Sequence, residues 1–261
     1  MLLLRAILRL TRSSTSLLCV LAVFLPLFAR TRNLILSISE ALPLLFICMC
    51  TFIANDLDDI EKDRVNHPER PLPAGHLTAE FASIFYFVSL SFALVSTRYF
   101  VPPDIAFWYY VLITLTISYR YVVGFLPSAK TVYTAIASSI PLLLIATSYP
   151  HEQKLRVAAV SVFLFILARE ICGDLQDRPG DAVSVIHRFS PLSLASIAFV
   201  FQVLGLILLA FQTSNRGELI ALISMTLLLT LSGVYWFRFA SYRRATLIMK
   251  IQLFVGLYFL V

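Results

Sequence analysis

The stretch NLILSISEALPLLFICMCTFIANDLDDIEKD, residues 33–63, runs without interruption from an apolar segment into a cluster of acids. Its apolar part, 33–54, is long enough for a helix to cross the roughly 30 Å of a bilayer's hydrocarbon core. It is continuously apolar, whereas a barrel strand would alternate. In lipid every backbone amide must find its partner inside the segment, so such a run is a helix. Eight further windows of this kind occupy 14–29, 80–97, 104–119, 131–149, 155–170, 191–211, 218–237 and 247–261. Together the nine predict an all-α, polytopic membrane protein.

Composition agrees. The 261 residues are 59% hydrophobic and 14% charged, against about 45–50% apolar in an average globular chain. One compact water-soluble domain with so few charged residues cannot cover its outer surface. No Gly/Ser-rich linker divides the chain and no solenoid-length period recurs, so 1–261 is expected to be a single transmembrane domain. Arg5, Arg9 and Arg12 precede the run Ser16–Phe28 as in a signal peptide. Arg30 and Arg32 follow that run, however, and no small-residue cleavage site does, so a retained first span is expected.

The net charge of +6 is scattered singly between windows and forms no patch suited to nucleic acid. Topology accounts for it: alternate connections carry 14 and six Lys/Arg residues, with Lys250 left inside the last window. The positive-inside rule then places the N-terminus in the cytoplasm and the C-terminus outside. Cys19, Cys48, Cys50 and Cys172 have neither zinc nor redox spacing and are expected to be reduced and structural.

Nine of the fifteen acids fall in two windows: Asp56, Asp58, Asp59, Glu61, Asp63 and Glu170, Asp174, Asp177, Asp181. Each window begins at the predicted cytoplasmic end of an apolar span. Asp56/Asp59/Asp63 and Asp174/Asp177/Asp181 share the pattern DxxDxxxD. On a helix turning about 100° per residue, such a triad forms a stripe on one face. Glu170 extends the second stripe, while Asp58 and Glu61 point elsewhere, toward solvent or neighbouring bases.

Stacked carboxylates at the mouth of a membrane helix repel one another more strongly as the local dielectric falls, so a cation is expected among them. Oxygen ligands suit magnesium, which is usually held by a few carboxylates together with phosphate oxygens, and the lack of a His/Cys cluster argues against zinc. Arg64, Arg70 and Arg178 stand beside the stripes, where they could bond a diphosphate. Asn55 offers a neutral amide oxygen. The following stretch RVNHPERPLPAGHLT cannot continue as a helix through Pro68, Pro71 and Pro73, and is expected to be a constrained loop able to close over the site. His67 and His76 are expected on its surface.

The segments NDLDDIEKD (55–63), NHPERPLPAG (66–75) and DLQDRPGD (174–181) resemble the motifs of the UbiA superfamily of intramembrane prenyltransferases. The resemblance, which covers nearly the whole chain, implies about nine transmembrane helices around a central cavity open to lipid. It implies that magnesium holds a prenyl diphosphate on Asn55, Asp56, Asp59, Asp63, Asp174, Asp177 and Asp181. Asp56, Asp59, Asp174 and Asp177 would be catalytic, and Arg64, Arg70, Lys130 and Arg178 would bind diphosphate. One departure stands out: the family often has a tyrosine four residues before a lysine, whereas Tyr119 is followed here by Val123, with Lys130 further on.

The expected reaction moves a polyprenyl group from its diphosphate to an aromatic or other lipophilic acceptor within the bilayer. No nucleic-acid or protein partner is implied. A membrane terpene cyclase of the same superfamily is the enzymatic alternative, and a cation or proton transporter the non-enzymatic one. A transporter would place acids near mid-bilayer. Only Glu40 lies well inside a window, and it is expected to snorkel toward water at the outer interface.

Overall fold

The computed structural model describes residues 2–126, 129–149, 151, 153–177, 189–239 and 241–260. Eleven α-helices account for nearly all of them, with no strand among the described residues. In chain order they are α1 (Leu2–Leu10), α2 (Ser13–Thr31), α3 (Leu34–Asp58), α4 (Ile60–Asn66), α5 (Ala79–Phe100), α6 (Pro103–Phe125), α7 (Lys130–Ser148), α8 (Gln153–Asp177), α9 (Pro191–Ala210), α10 (Arg216–Phe237) and α11 (Tyr242–Gly256). A short 3₁₀ helix, Leu257–Leu260, follows.

Each of the nine apolar windows overlaps one of these helices, the ninth only as far as Gly256 of α11. Six helices, α2, α3, α5, α7, α9 and α10, are long and apolar enough to cross a membrane. The other three fall short for separate reasons. Helix α6 dilutes its apolar residues with Tyr, Thr and Ser. Helix α8 carries Lys154 and Arg156 near its start and Arg169, Glu170, Asp174 and Asp177 near its end. Helix α11 has only 15 residues and begins with Tyr242, Arg243 and Arg244, ahead of the expected window.

The helix starts are chemically marked. Asn33, Thr78, Ser190 and Asn215 each accept a hydrogen bond from a backbone N–H of the first turn of α3, α5, α9 and α10, satisfying donors that a helix start leaves orphaned. Exposed hydroxyls inside the spans solve the same problem locally. Ser91, Thr114, Ser196, Ser224 and Thr226 each donate to the carbonyl four residues back. Large apolar side chains such as Phe87, Phe92, Leu192, Ile223 and Leu227 point outward, a surface that suits lipid.

The chain forms two compact units, one containing α1–α6 and the other α7–α11. In the first, α3 is central and packs on α2, α5 and α6. Ala6 and Leu10 of α1 join Ile53 of α3, Ala82 of α5 and the loop residues Leu72 and Leu77 in one buried cluster. In the second, α8 is central and packs on α7, α9 and α11. Phe165 there lies over Gly205 of α9, where any added Cβ would stand 3.2 Å from the ring. Trp236 of α10 packs with Ala168, Cys172 and Ala198.

Two expectations are corrected. Glu40 does not snorkel: it is buried on α3, where its backbone carbonyl accepts a 2.7 Å bond from the buried Tyr109 hydroxyl of α6. Packing around that turn of α3 encloses the side chain. The first acidic triad is also not on one unbroken helix. Helix α3 ends at Asp58, α4 begins at Ile60, and Asp59 sits at the joint with φ −99° and ψ 10°. The bonds Asp59 N–H to Asn55 O (3.0 Å) and Asp63 N–H to Asp59 O (2.8 Å) still span the joint, so the helical spacing largely survives. All four cysteines are free, three of them buried.

Because Leu10 is fully buried between α3 and the Pro-rich loop, Leu10→Ala should cost on the order of 2–5 kcal/mol. Denaturant unfolding in detergent, followed by circular dichroism, should show it. Ile84→Ala, on the exposed face of α5, should change stability by less than about 0.5 kcal/mol.

Candidate active site

In the first unit the acids at the end of α3 are buried but matched. Asp56 is 2% exposed, and its carboxylate accepts a 2.9 Å bond from the Arg12 guanidinium and lies 3.5 Å from Arg70. Asp63, one joint further on, is 4% exposed and accepts from the same Arg70 at 2.5 Å. Arg70 therefore draws Asp56 and Asp63 to one side of the α3–α4 joint. Asp59 faces Asn55, whose amide donates to it at 3.1 Å, and Lys62 at 3.4 Å. Burial lifts Asp63 above the usual carboxylate range, while Arg70 pulls the other way.

Arg70 is placed by the Pro-rich segment. The turn is held by Arg70 N–H to His67 O, Ala74 N–H to Arg70 O and two N–H groups, His76 and Leu77, on Pro71 O. Gly75 closes it at φ +71°, a conformation costly for residues with a Cβ. Leu72 and Leu77 then anchor the loop in the core. It is thus a packed support for an arginine. His76 is exposed, and His67 lies 3.8 Å from the Glu69 carboxylate.

Arg12 carries no local sequence signal. It stands 44 residues before Asp56, at the turn between α1 and α2, with a left-handed backbone (φ 44°, ψ 50°) and its guanidinium over the Phe52 ring. Asp58 and Glu61 leave the stripe as expected: Asp58 pairs with Arg120 at 3.1 Å, and Glu61 with Arg64 at 2.9 Å. That second pair is exposed on both sides, so Arg64 is turned away from Asp56 and Asp63.

In the second unit Asp174, on the last turns of α8, is likewise buried. Thr131 donates a 3.0 Å hydrogen bond to one carboxylate oxygen, and the Lys130 ammonium stands 3.4 Å from the other. Both partners lie on the first turn of α7. Lys130 thus reaches the acidic motif from a position well beyond the family's usual spacing. Thr131 had no signal of its own beyond adjacency to Lys130. Glu170, one turn before Asp174, is engaged by its neighbour Arg169. Asp177 is half-buried at the helix end, and Arg178 and Asp181 lie outside the described residues. Burial pushes Asp174, beyond the apolar window of α8, up to about 6, with Lys130 and Thr131 opposing and Glu170 reinforcing the rise.

Among the described residues, no three His, Cys, Asp or Glu side chains converge as a self-sufficient metal cage. Magnesium needs none: one or two carboxylates suffice when substrate phosphates and water complete its octahedron. The donors here are oxygens, with Asp56 and Asp174 each already desolvated, so the residues fit such an ion. Both clusters can also engage an anion, because Arg12, Arg70 and Lys130 bring positive charge to the same places.

Residues 13–257 match the UbiA prenyltransferase family. A digeranylgeranylglyceryl phosphate synthase of Sulfolobus acidocaldarius is 28% identical over 158 residues, 54% of this chain and 52% of the relative. Another, of Thermococcus gammatolerans, is 34% identical over 132 residues, 49% and 46% of the two chains. The chain thus aligns with about half the length of these curated relatives. The fold of a UbiA homologue from Aeropyrum pernix K1 superposes with a TM-score of 0.76 at 12% identity, covering 93% of this chain and 96% of that one. A structure described as giving insights into digeranylgeranylglyceryl phosphate synthase in membranes superposes with a TM-score of 0.70 at 19% identity, covering 100% and 98%.

In metal-free protein the protonated-carboxyl infrared band of Asp174 should titrate with a midpoint near 6 and vanish in Asp174→Asn. Lys130 favours the charged form, so Lys130→Met should move the midpoint upward. A band unaffected by either change would reject the assignment.

Proposed function

The chain belongs to the UbiA prenyltransferase family, and from that premise we propose that it transfers a prenyl group from its diphosphate to a lipophilic acceptor within the membrane. The observation that carries the proposal is a buried aspartate held against fixed bases in each of the two acidic motifs, Asp56 with Arg12 and Arg70, and Asp174 with Lys130. Such clusters accept a divalent cation on the carboxylate and an anion on the bases, the two halves of a metal diphosphate.

Asn55, Asp56, Asp59, Asp63, Asp174 and Asp177 would supply the magnesium ligands. When bound, the ion would offset the charge that develops on the departing diphosphate. At each motif the neighbouring base, Arg70 in the first and Lys130 in the second, would bond phosphate oxygens. As the C1–O bond of the substrate breaks, its electron pair leaves with the diphosphate, and fixed positive charge stabilises the leaving group where its charge grows. The acceptor then forms a bond to C1 and loses a proton. Leu72 and Leu77, seated in the core, fix the loop that carries Arg70.

The relatives' shared name directs the choice of the first acceptor to a glyceryl phosphate bearing a geranylgeranyl chain. Purified protein should be incubated with geranylgeranyl diphosphate and that acceptor, with and without magnesium, and the products separated by chromatography. Prenylated acceptor should form only when acceptor and magnesium are both present. A cyclic product formed without acceptor would reject the transferase reading. Asp56→Ala and Asp174→Ala should each fall to below about a hundredth of wild-type turnover, the scale of losing one charge-stabilising group. Arg70→Ala should raise KM for the diphosphate and lower kcat.

A further inference from the structure

Helix α1 is amphipathic on three sides. At about 100° per residue, the i,i+4 pairs Leu4/Leu8, Arg5/Arg9 and Ala6/Leu10 form three stripes, each about 100° from the next. The Ala6/Leu10 stripe is buried against α3, α5 and the Pro-rich loop. The Leu4/Leu8 stripe lies on nearly the opposite side, 62% and 46% exposed, with Leu3 also exposed nearby. Between the two, Arg5 and Arg9 are exposed, and neither pairs with a carboxylate among the described residues. The helix contains no acid.

Outward leucines stand directly beside arginines that have no carboxylate partner among the described residues, on a helix without an acid. A bilayer interface suits both: protein on one side, acyl chains on the other, and phosphate headgroups above. We propose that α1 docks lengthwise on the anionic lipid of the leaflet at the end of α3 that carries Asp56. Arg5 and Arg9 take lipid phosphates, and Leu4 and Leu8 enter the acyl layer. The leaflet follows from the chain itself, because Arg12, two residues past α1, is bonded to Asp56. Docking would therefore also steady Arg12 on Asp56. The inference rests on the membrane location of the family and is independent of the transfer reaction.

The test is hydrogen exchange of α1 amides in full-length protein reconstituted in phosphatidylcholine alone or mixed with phosphatidylglycerol, with α8 as internal control. Anionic lipid should slow α1 exchange by roughly fivefold per arginine, on the order of 25-fold for the pair, and leave α8 unchanged. Arg5→Gln/Arg9→Gln should abolish the difference, and Leu4→Ser/Leu8→Ser should speed α1 exchange in both lipids. Equal α1 exchange of the wild type in the two lipids, or a difference that survives the double glutamine variant, would overturn the proposal. So would leucine variants that exchange like wild type, or free pyrophosphate protecting α1 in phosphatidylcholine as well as anionic lipid does. None of these outcomes depends on turnover, so failure here is distinguishable from failure of the proposed reaction.

Discussion

A carboxylate at the end of a lipid-spanning helix must lose most of its hydration, and that loss is tolerable only beside a compensating positive group. Much of the chain's polar architecture answers this demand. Asp56 is answered by Arg12 and Arg70, Asp63 by Arg70, Asp58 by Arg120, and Asp174 by Lys130 with a hydroxyl from Thr131. The bases come from different places: a turn before the first span, a Pro-rich loop, the end of one helix and the start of another. Holding them in position gives these otherwise minor segments a reason to be ordered.

The Pro-rich segment shows how that order is achieved. Prolines deny it a helical ladder, and backbone bonds to Pro71 O and the left-handed Gly75 wind it into a compact turn. Leu72 and Leu77 lock the turn against α1, α3 and α5. The outcome is a rigid support for one guanidinium that spans two carboxylates seven residues apart in sequence. Burial of two leucines here serves electrostatics as much as stability.

Among the described residues two buried acids, Glu40 and Glu218, lie outside the motifs. Glu40 is enclosed by the packing of α3, with Tyr109 of α6 bonded to its backbone. Glu218 at the start of α10 meets Lys154 at 2.8 Å and the Ser214 N–H, closing a polar cap. Glu218 thus ties the start of α10 to α8, whereas the acids within the motifs stand beside bases that a diphosphate could also engage.

Residues 33–63 already announced a membrane helix running into an acidic motif, because hydrocarbon leaves the backbone no alternative to a helix and because spacing along one helix is a local property. Six of the nine apolar windows became helices long and apolar enough to span for that reason, and Asp58 and Glu61 could be set apart from the stripe by angle alone. The break at Asp59, the burial of Glu40 and the arrival of Arg12 and Thr131 beside aspartates more than forty residues away were decided by tertiary structure. Contacts over such separations depend on which helix faces meet, and in an apolar chain many faces are equally greasy. Periodicity cannot rank them, and only packing selects the polar side chains that share a buried space.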